Sequence, residues 1–134
     1  MPVDHGARKT RLPGGFFVSA DDMPARFAQA DLIVCRSGAI TVAEVAAAGR
    51  TAIFVPFGAA TDSHQLRNAQ AMERAGAGRV VVESELTSDR LANEILRFAA
   101  EPQRLVEMGK RARALGRPRA TAAIVDLIEE AARR

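Results

Sequence analysis

The sequence predicts an α/β fold: a Rossmann-like, doubly wound parallel sheet of about four strands. Short runs of near-continuous apolar residues, such as LIVC and AIFV, alternate with longer segments at helical period. Strands covered on both faces by crossover helices read this way, whereas a sheet with one wet face alternates apolar and polar residues. Helix punctuation is the second observation, because cap residues, glycines and prolines fall at the junctions.

In chain order, residues 1 to 13 are polar and basic without periodicity, and residues 1–15 are expected to be a disordered or unrelated lead to a single domain at 16–134. Gly14-Gly15 comes before the strand candidate Phe16-Phe17-Val18, so it reads as a turn and not as a phosphate loop, which would follow a strand. A short helix is expected around 22 to 30, a strand at Leu32 to Cys35, and a helix at 38 to 48 capped by Ser37 and ended by Gly49. Ala52 to Val55 reads as strand, 63 to 75 as a helix opened by Asp62 or Ser63 and stopped by Gly76, and Arg79 to Val82 as strand. Three helical stretches follow, at 87 to 100, 102 to 115 and 118 to 132, with a cap at Thr87 and first-turn prolines at Pro102 and Pro118.

The chain has 134 residues and is 48% hydrophobic, enough for one compact core without disulfides or metal. Its one cysteine, Cys35, excludes a disulfide framework and a cysteine-based zinc site and implies a reducing, cytosolic setting. No window holds the unbroken apolar run of a membrane span, so any membrane contact is expected to be peripheral. The net charge is +3, with arginines scattered along the chain and clustered only between Arg104 and Arg119, a cluster that reads first as a solvated helix face and second as a contact for anionic lipid or a partner. With neither tyrosine nor tryptophan to stack bases, nucleic acid is not an expected partner.

Ligands of such sheets bind beyond the carboxyl ends of the strands. Asp21 and Asp22 stand at one such end, as helix caps or as ligand contacts. At the next, Ser37, Ile40, Thr41 and Glu44 share one stripe of a helix whose Val42, Val45 and Ala46 face the core. The N–H groups of Gly38 to Ile40 point toward an anion there, and Glu44 either accepts hydroxyl hydrogens from a ribose or is a solvated glutamate. In the third, FGAATDSHQLRN, Gln65 and Asn68 share a helix face and are either sugar-hydroxyl partners or ordinary surface amides. His64 is a general-base candidate with no partner visible in sequence.

ADLIVCRSGAITVAEVAAAG followed by AIFVPFGAATDSHQLRNAQAMERAGAG closely resembles the donor-binding half of the MurG family, over about residues 16 to 133. That family transfers N-acetylglucosamine from UDP-GlcNAc to lipid I, making lipid II for peptidoglycan. The resemblance implies the C-terminal half of a GT-B glycosyltransferase lacking its first strand and loop, with no cofactor and no metal. By position, Ala20 matches a residue whose main chain meets the uracil edge, and Arg36, Ser37, Gly38, Ala39, Ile40 and Thr41 match the segment lining the nucleotide and diphosphate. Glu44 matches the acid that holds the ribose hydroxyls, and Asn68 a loop-supporting asparagine. His64 and Gln65 match a pair usually occupied by two amides that contact the GlcNAc hydroxyls, and His64 departs from that version.

The family's acceptor domain and the loop that completes the diphosphate site have no counterpart in this sequence. The resemblance therefore implies UDP-GlcNAc binding on the donor side of an inverting transferase, with no catalytic residue evident in the chain. Lipid I is then taken by a missing N-terminal domain or a partner chain, at the cytoplasmic face of the bacterial inner membrane. The alternative is a non-catalytic nucleotide-sugar-binding subunit of a split transferase. A UDP-GlcNAc epimerase fits less well, since Arg36-Ser37-Gly38-Ala39 stands where those enzymes carry an Asp-Ser-Gly-Gly turn with paired acids. An exposed sheet edge is expected to favour self-association.

Overall fold

A computed structural model of the chain describes residues 11–12, 16–17, 23–58, 63–116 and 127–133. The elements run β1 (Arg11–Leu12), β2 (Phe16–Phe17), α1 (Met23–Gln29), β3 (Leu32–Cys35), α2 (Ala39–Ala48), β4 (Thr51–Phe54), α3 (Ser63–Arg74) and β5 (Gly78–Val80). A 3-10 turn (Glu83–Glu85), α4 (Ser88–Ala100) and α5 (Pro102–Leu115) follow. Residues 127 to 132 are helical, and the rest of the expected 118 to 132 helix lies outside the described residues.

The parallel sheet contains three strands among the described residues, in the order β3-β4-β5, with Ile33 opposite Ala52 and Ala52 opposite Gly78. The fourth strand expected from sequence, Phe16-Phe17-Val18, does not join it there. Phe16–Phe17 pairs antiparallel with Arg11–Leu12 as a separate ladder, Leu12 opposite Phe16. The physical reason is locality: only three residues of sequence separate the two segments, so the partner nearest to Phe16–Phe17 is its immediate neighbour in the chain.

Side chains alternate across β4 and divide the core in two. Ala52 and Phe54 pack with Ile33 of β3, Val45 and Ala46 of α2, and Ala69 and Met72 of α3. Ile53 points the other way, into Val81, Phe98 of α4 and Met108 of α5. The sheet is therefore wound on both faces, and β4, buried at every residue, lies at its centre. α5 reaches both clusters through Met108 and Ala112, and Gly109 between them lies against the Gly49 carbonyl, where a Cβ would collide with backbone.

Gly49 and Gly76 close α2 and α3 at φ of 64° and 70°, a left-handed conformation that side chains disfavour. Three arginines bond carbonyls at helix ends: Arg50 that of Ala28 near the end of α1, Arg113 that of Ala48 ending α2 (3.2 Å), and Arg111 that of Gly76 after α3 (3.5 Å). The basic run from Arg104 onward thus contributes two guanidinium groups that satisfy orphan carbonyls and complement the negative ends of helix dipoles. Thr51 Oγ1, fully buried, donates to the Leu105 carbonyl at 2.8 Å and fixes α5 to the start of β4. Among the described residues no helix is long and apolar enough to cross a membrane.

Candidate functional site

The carboxyl ends of β3, β4 and β5 lie side by side because the strands are parallel and adjacent, and each leads into a loop. β3 is followed by Arg36, Ser37 and Gly38 before α2; β4 by Val55, Pro56, Phe57 and Gly58; and β5 by Val81, Val82 and Glu83.

Ser37 does not cap α2, as the sequence led one to expect. Gly38 occupies the N-cap position with extended backbone and no side-chain cap, while Ser37 is fully buried and donates from Oγ to the Gln65 carbonyl at 2.7 Å. A tertiary acceptor on α3 has displaced the local one. The Ser37 carbonyl is likewise committed, accepting from Asn68 Nδ2 at 3.0 Å. Ser37 and Asn68 together tie the start of α2 to the first turns of α3.

The start of α2 is left open by this arrangement. The first backbone bond of the helix runs from Val42 N to the Gly38 carbonyl at 3.0 Å, so the N–H groups of Ala39, Ile40 and Thr41 precede it. Among the described residues no side chain caps them, and the first turn holds no acid. α4 is the contrast: Thr87 accepts from Arg90 N at 3.1 Å, and Asp89 stands in the first turn. An uncapped N-terminus with the positive end of the helix dipole is a seat for an anion.

Gln65 faces the same opening from α3. Its Oε1 accepts from Phe57 N at 2.8 Å, and its Nε2 lies 3.9 Å from where a Cβ on Gly38 would stand. Ile40 is 77% exposed, and Glu44, about two turns along α2, is half-buried while its neighbour Val45 is fully buried. Glu44 makes no hydrogen bond or ion pair among the described residues, so its carboxylate is free to accept hydroxyl hydrogens. His64 is exposed at the start of α3, and Ala20, Asp21 and Asp22 lie outside the described residues.

Sequence reasoning does not single out Phe57 and Glu83, which the structure brings to Arg36. The Arg36 guanidinium lies over the Phe57 ring at 5.5 Å, and its Nη2 is 3.1 Å from Glu83 Oε1. Phe57 is half exposed although Phe54, three residues earlier, is fully buried. A position just past the end of a parallel strand is the signal both share, and it is weak. The hydrogen bond from Arg36, and secondly that from the Gly58 N–H, hold the Glu83 carboxyl below its ordinary range. Cys35, at the end of β3, is the opposite case: burial pushes its thiol up to about 12, leaving it protonated and a poor nucleophile at neutral pH.

Residues 8–129 match the profile of the family described as glycosyltransferase family 28 C-terminal domain. A UDP-N-acetylglucosamine--N-acetylmuramyl-(pentapeptide) pyrophosphoryl-undecaprenol N-acetylglucosamine transferase of Solibacter usitatus is 51% identical over 112 residues, which make up 84% of this chain and 30% of that protein. The crystal structure of Acinetobacter baumannii MurG superposes with a TM-score of 0.73 at 41% identity, covering 82% of this chain and 31% of that one. A glycosyltransferase of kitacinnamycin superposes at 0.66 with 27% identity, covering 96% of this chain and 32% of its own. The chain therefore spans about a third of the length of the curated relatives it matches.

Proposed function

The chain belongs to the glycosyltransferase family 28 C-terminal domain family, and on that premise we propose that it binds UDP-GlcNAc as the donor side of an N-acetylglucosaminyltransferase of the MurG kind. The relatives' names describe transfer of N-acetylglucosamine to N-acetylmuramyl-(pentapeptide) pyrophosphoryl-undecaprenol. The observation that carries the reading is the start of α2 at the carboxyl ends of the strands, uncapped among the described residues, with the Glu44 carboxylate, likewise unpartnered among them, further along the same helix. The diphosphate rests on the N–H groups of Ala39 to Thr41, and the ribose hydroxyls donate to Glu44. Gln65, fixed by Phe57 N, and the neighbouring His64 meet the sugar, while Ala20 meets the uracil edge. Ser37 and Asn68 act through the backbone they hold.

Transfer then proceeds by in-line attack of the acceptor hydroxyl on the anomeric carbon. The aligned N–H groups of α2 stabilise the leaving UDP electrostatically, and positioning supplies the remainder. The chain's part is to bind and orient; the acceptor lipid is held by a part of the enzyme beyond the length matched here. The setting in this reading is the cytoplasmic face of the bacterial inner membrane, with peripheral contact. β3 is paired only with β4 among the described residues and its Val34 is 44% exposed, which supports self-association through that edge.

Calorimetric titration with UDP tests the donor site. Wild type binds, and Glu44→Ala weakens binding by about 1.5 to 3 kcal/mol, the worth of a hydrogen bond to a charged group. Unchanged affinity in that variant removes Glu44 from the site.

A further inference from the structure

The carboxylate of Glu83 is divided between two donors from two other strand ends. Oε1 is 3.1 Å from Arg36 Nη2, after β3, and Oε2 accepts from Gly58 N at 2.7 Å, after β4. Arg36 is itself steadied by the Phe57 ring and by the Val55 carbonyl oxygen, 3.5 Å from Nη1. A fixed guanidinium and a loop N–H converging on one oxyanion form the donor set that also takes phosphoryl oxygens.

Two features mark this as an anion seat more than as a brace. The side chains of Arg36 and Glu83 are 48% and 42% exposed, and an ion pair so open to water adds little to stability. Gly58 carries no side chain between its N–H and Glu83 Oε2, the atom that an added Cβ there would meet first, so the oxyanion lies directly against the backbone. The seat also adjoins the proposed diphosphate site, since Arg36 stands two residues before the α2 N-cap.

We propose that Glu83 is an internal competitor: its carboxylate fills an oxyanion subsite made by the Arg36 guanidinium and the Gly58 N–H, and a phosphoryl group of the nucleotide donor displaces it. This rests on the donor-binding reading above. Displacement requires no net loss of bonding, because a phosphoryl oxygen replaces a carboxylate oxygen on the same donors, and Glu83, on an exposed turn, is rehydrated. Glu83 thereby lowers affinity for every ligand that carries a phosphate at this position, and for no other.

The test is calorimetric titration of wild type, Glu83→Gln and Glu83→Ala with UDP, inorganic pyrophosphate and uridine. Both variants are expected to bind UDP and pyrophosphate about two- to fivefold more tightly, the range set by an exposed ion pair, with uridine unchanged. UDP bound equally or more weakly by both variants overturns the proposal and leaves Glu83 a brace of the loops. An equal gain for uridine also overturns it, since the effect is then not on the phosphate. Failure of all three proteins to bind UDP overturns the donor reading along with this one, an outcome distinct from equal binding.

Discussion

At the amino ends of the parallel strands the helices finish against guanidinium groups, whereas at the carboxyl ends α2 begins with no side-chain cap among the described residues. Arg50, Arg111 and Arg113 satisfy carbonyls at the ends of three helices, Thr51 fastens β4 to α5, and Gly109 brings the α5 backbone against Gly49. The carboxyl ends are held by side chains that reach between loops: Ser37 to Gln65, Asn68 to Ser37, Glu83 to Arg36 and Gly58. Both kinds of helix terminus leave orphan backbone groups. One end spends protein side chains on them, and the other leaves donors open to the proposed ligand. The difference separates stability from binding along the strand axis, and substitutions can break or sharpen that separation.

The largest effect is expected at the centre, where neither end dominates. Phe54→Ala empties the fully buried heart of β4 and is expected to cost about 3 to 5 kcal/mol in urea unfolding, a large share of a domain's stability. Next is Glu94, buried on α4 and bonded to Arg79 Nη2 at 3.3 Å and Arg90 Nε at 3.2 Å. Burial is the largest single influence on its carboxyl and pushes upward, but the charges and hydrogen bonds of the two arginines together outweigh it and hold the group below its usual range. A carboxyl depressed in the folded state contributes stability that is present above its unfolded pKa, about 4.3, and is lost as pH falls through the lower folded value. Glu94→Gln is therefore expected to cost about 1.5 kcal/mol at neutral pH and to flatten the acid limb of the stability profile. UDP affinity in Glu94→Gln should match wild type; a change would mean that the core and the site are coupled.

What could be read in the sequence follows the same division. LIVC and AIFV announce β3 and β4, the latter forming one residue earlier at Thr51–Phe54, and Gly49 and Gly76 announce the ends of α2 and α3, because each rests on local propensity. β5 forms at Gly78–Val80, a residue earlier than expected, and leaves Val81 as a buried residue of the following loop. Phe16–Phe17 is legible as a strand but its partner is not, since pairing depends on which edge the chain meets first. Ser37 before a helix satisfies the local rule for a cap, yet a carbonyl 28 residues away wins its hydroxyl. Glu83 lies 47 residues from Arg36 and carries no motif, so nothing short of the parallel sheet brings them together. Ser37→Ala measures that tertiary bond. It is expected to cost about 1 kcal/mol of stability and, by loosening the start of α2, to weaken UDP as well. Loss of stability with undiminished affinity would show that α2 keeps its place without α3.

Arg113→Ala probes the closed end and should have the smallest effect. The guanidinium donates to the Ala48 carbonyl at 3.2 Å while remaining exposed, so its loss is expected to cost about 0.3 to 1 kcal/mol, the worth of a cation at a helix C-terminus. The cost should shrink at high salt, because the interaction is with a screened dipole and not with a buried ion. UDP affinity should not move, since α2 would lose a partner at its last carbonyl and none at its first N–H groups. A fall in affinity matching the fall in stability would mean that the helix transmits strain from one end to the other. The open donors at Ala39 to Thr41 would then depend on the arginines that close the far end.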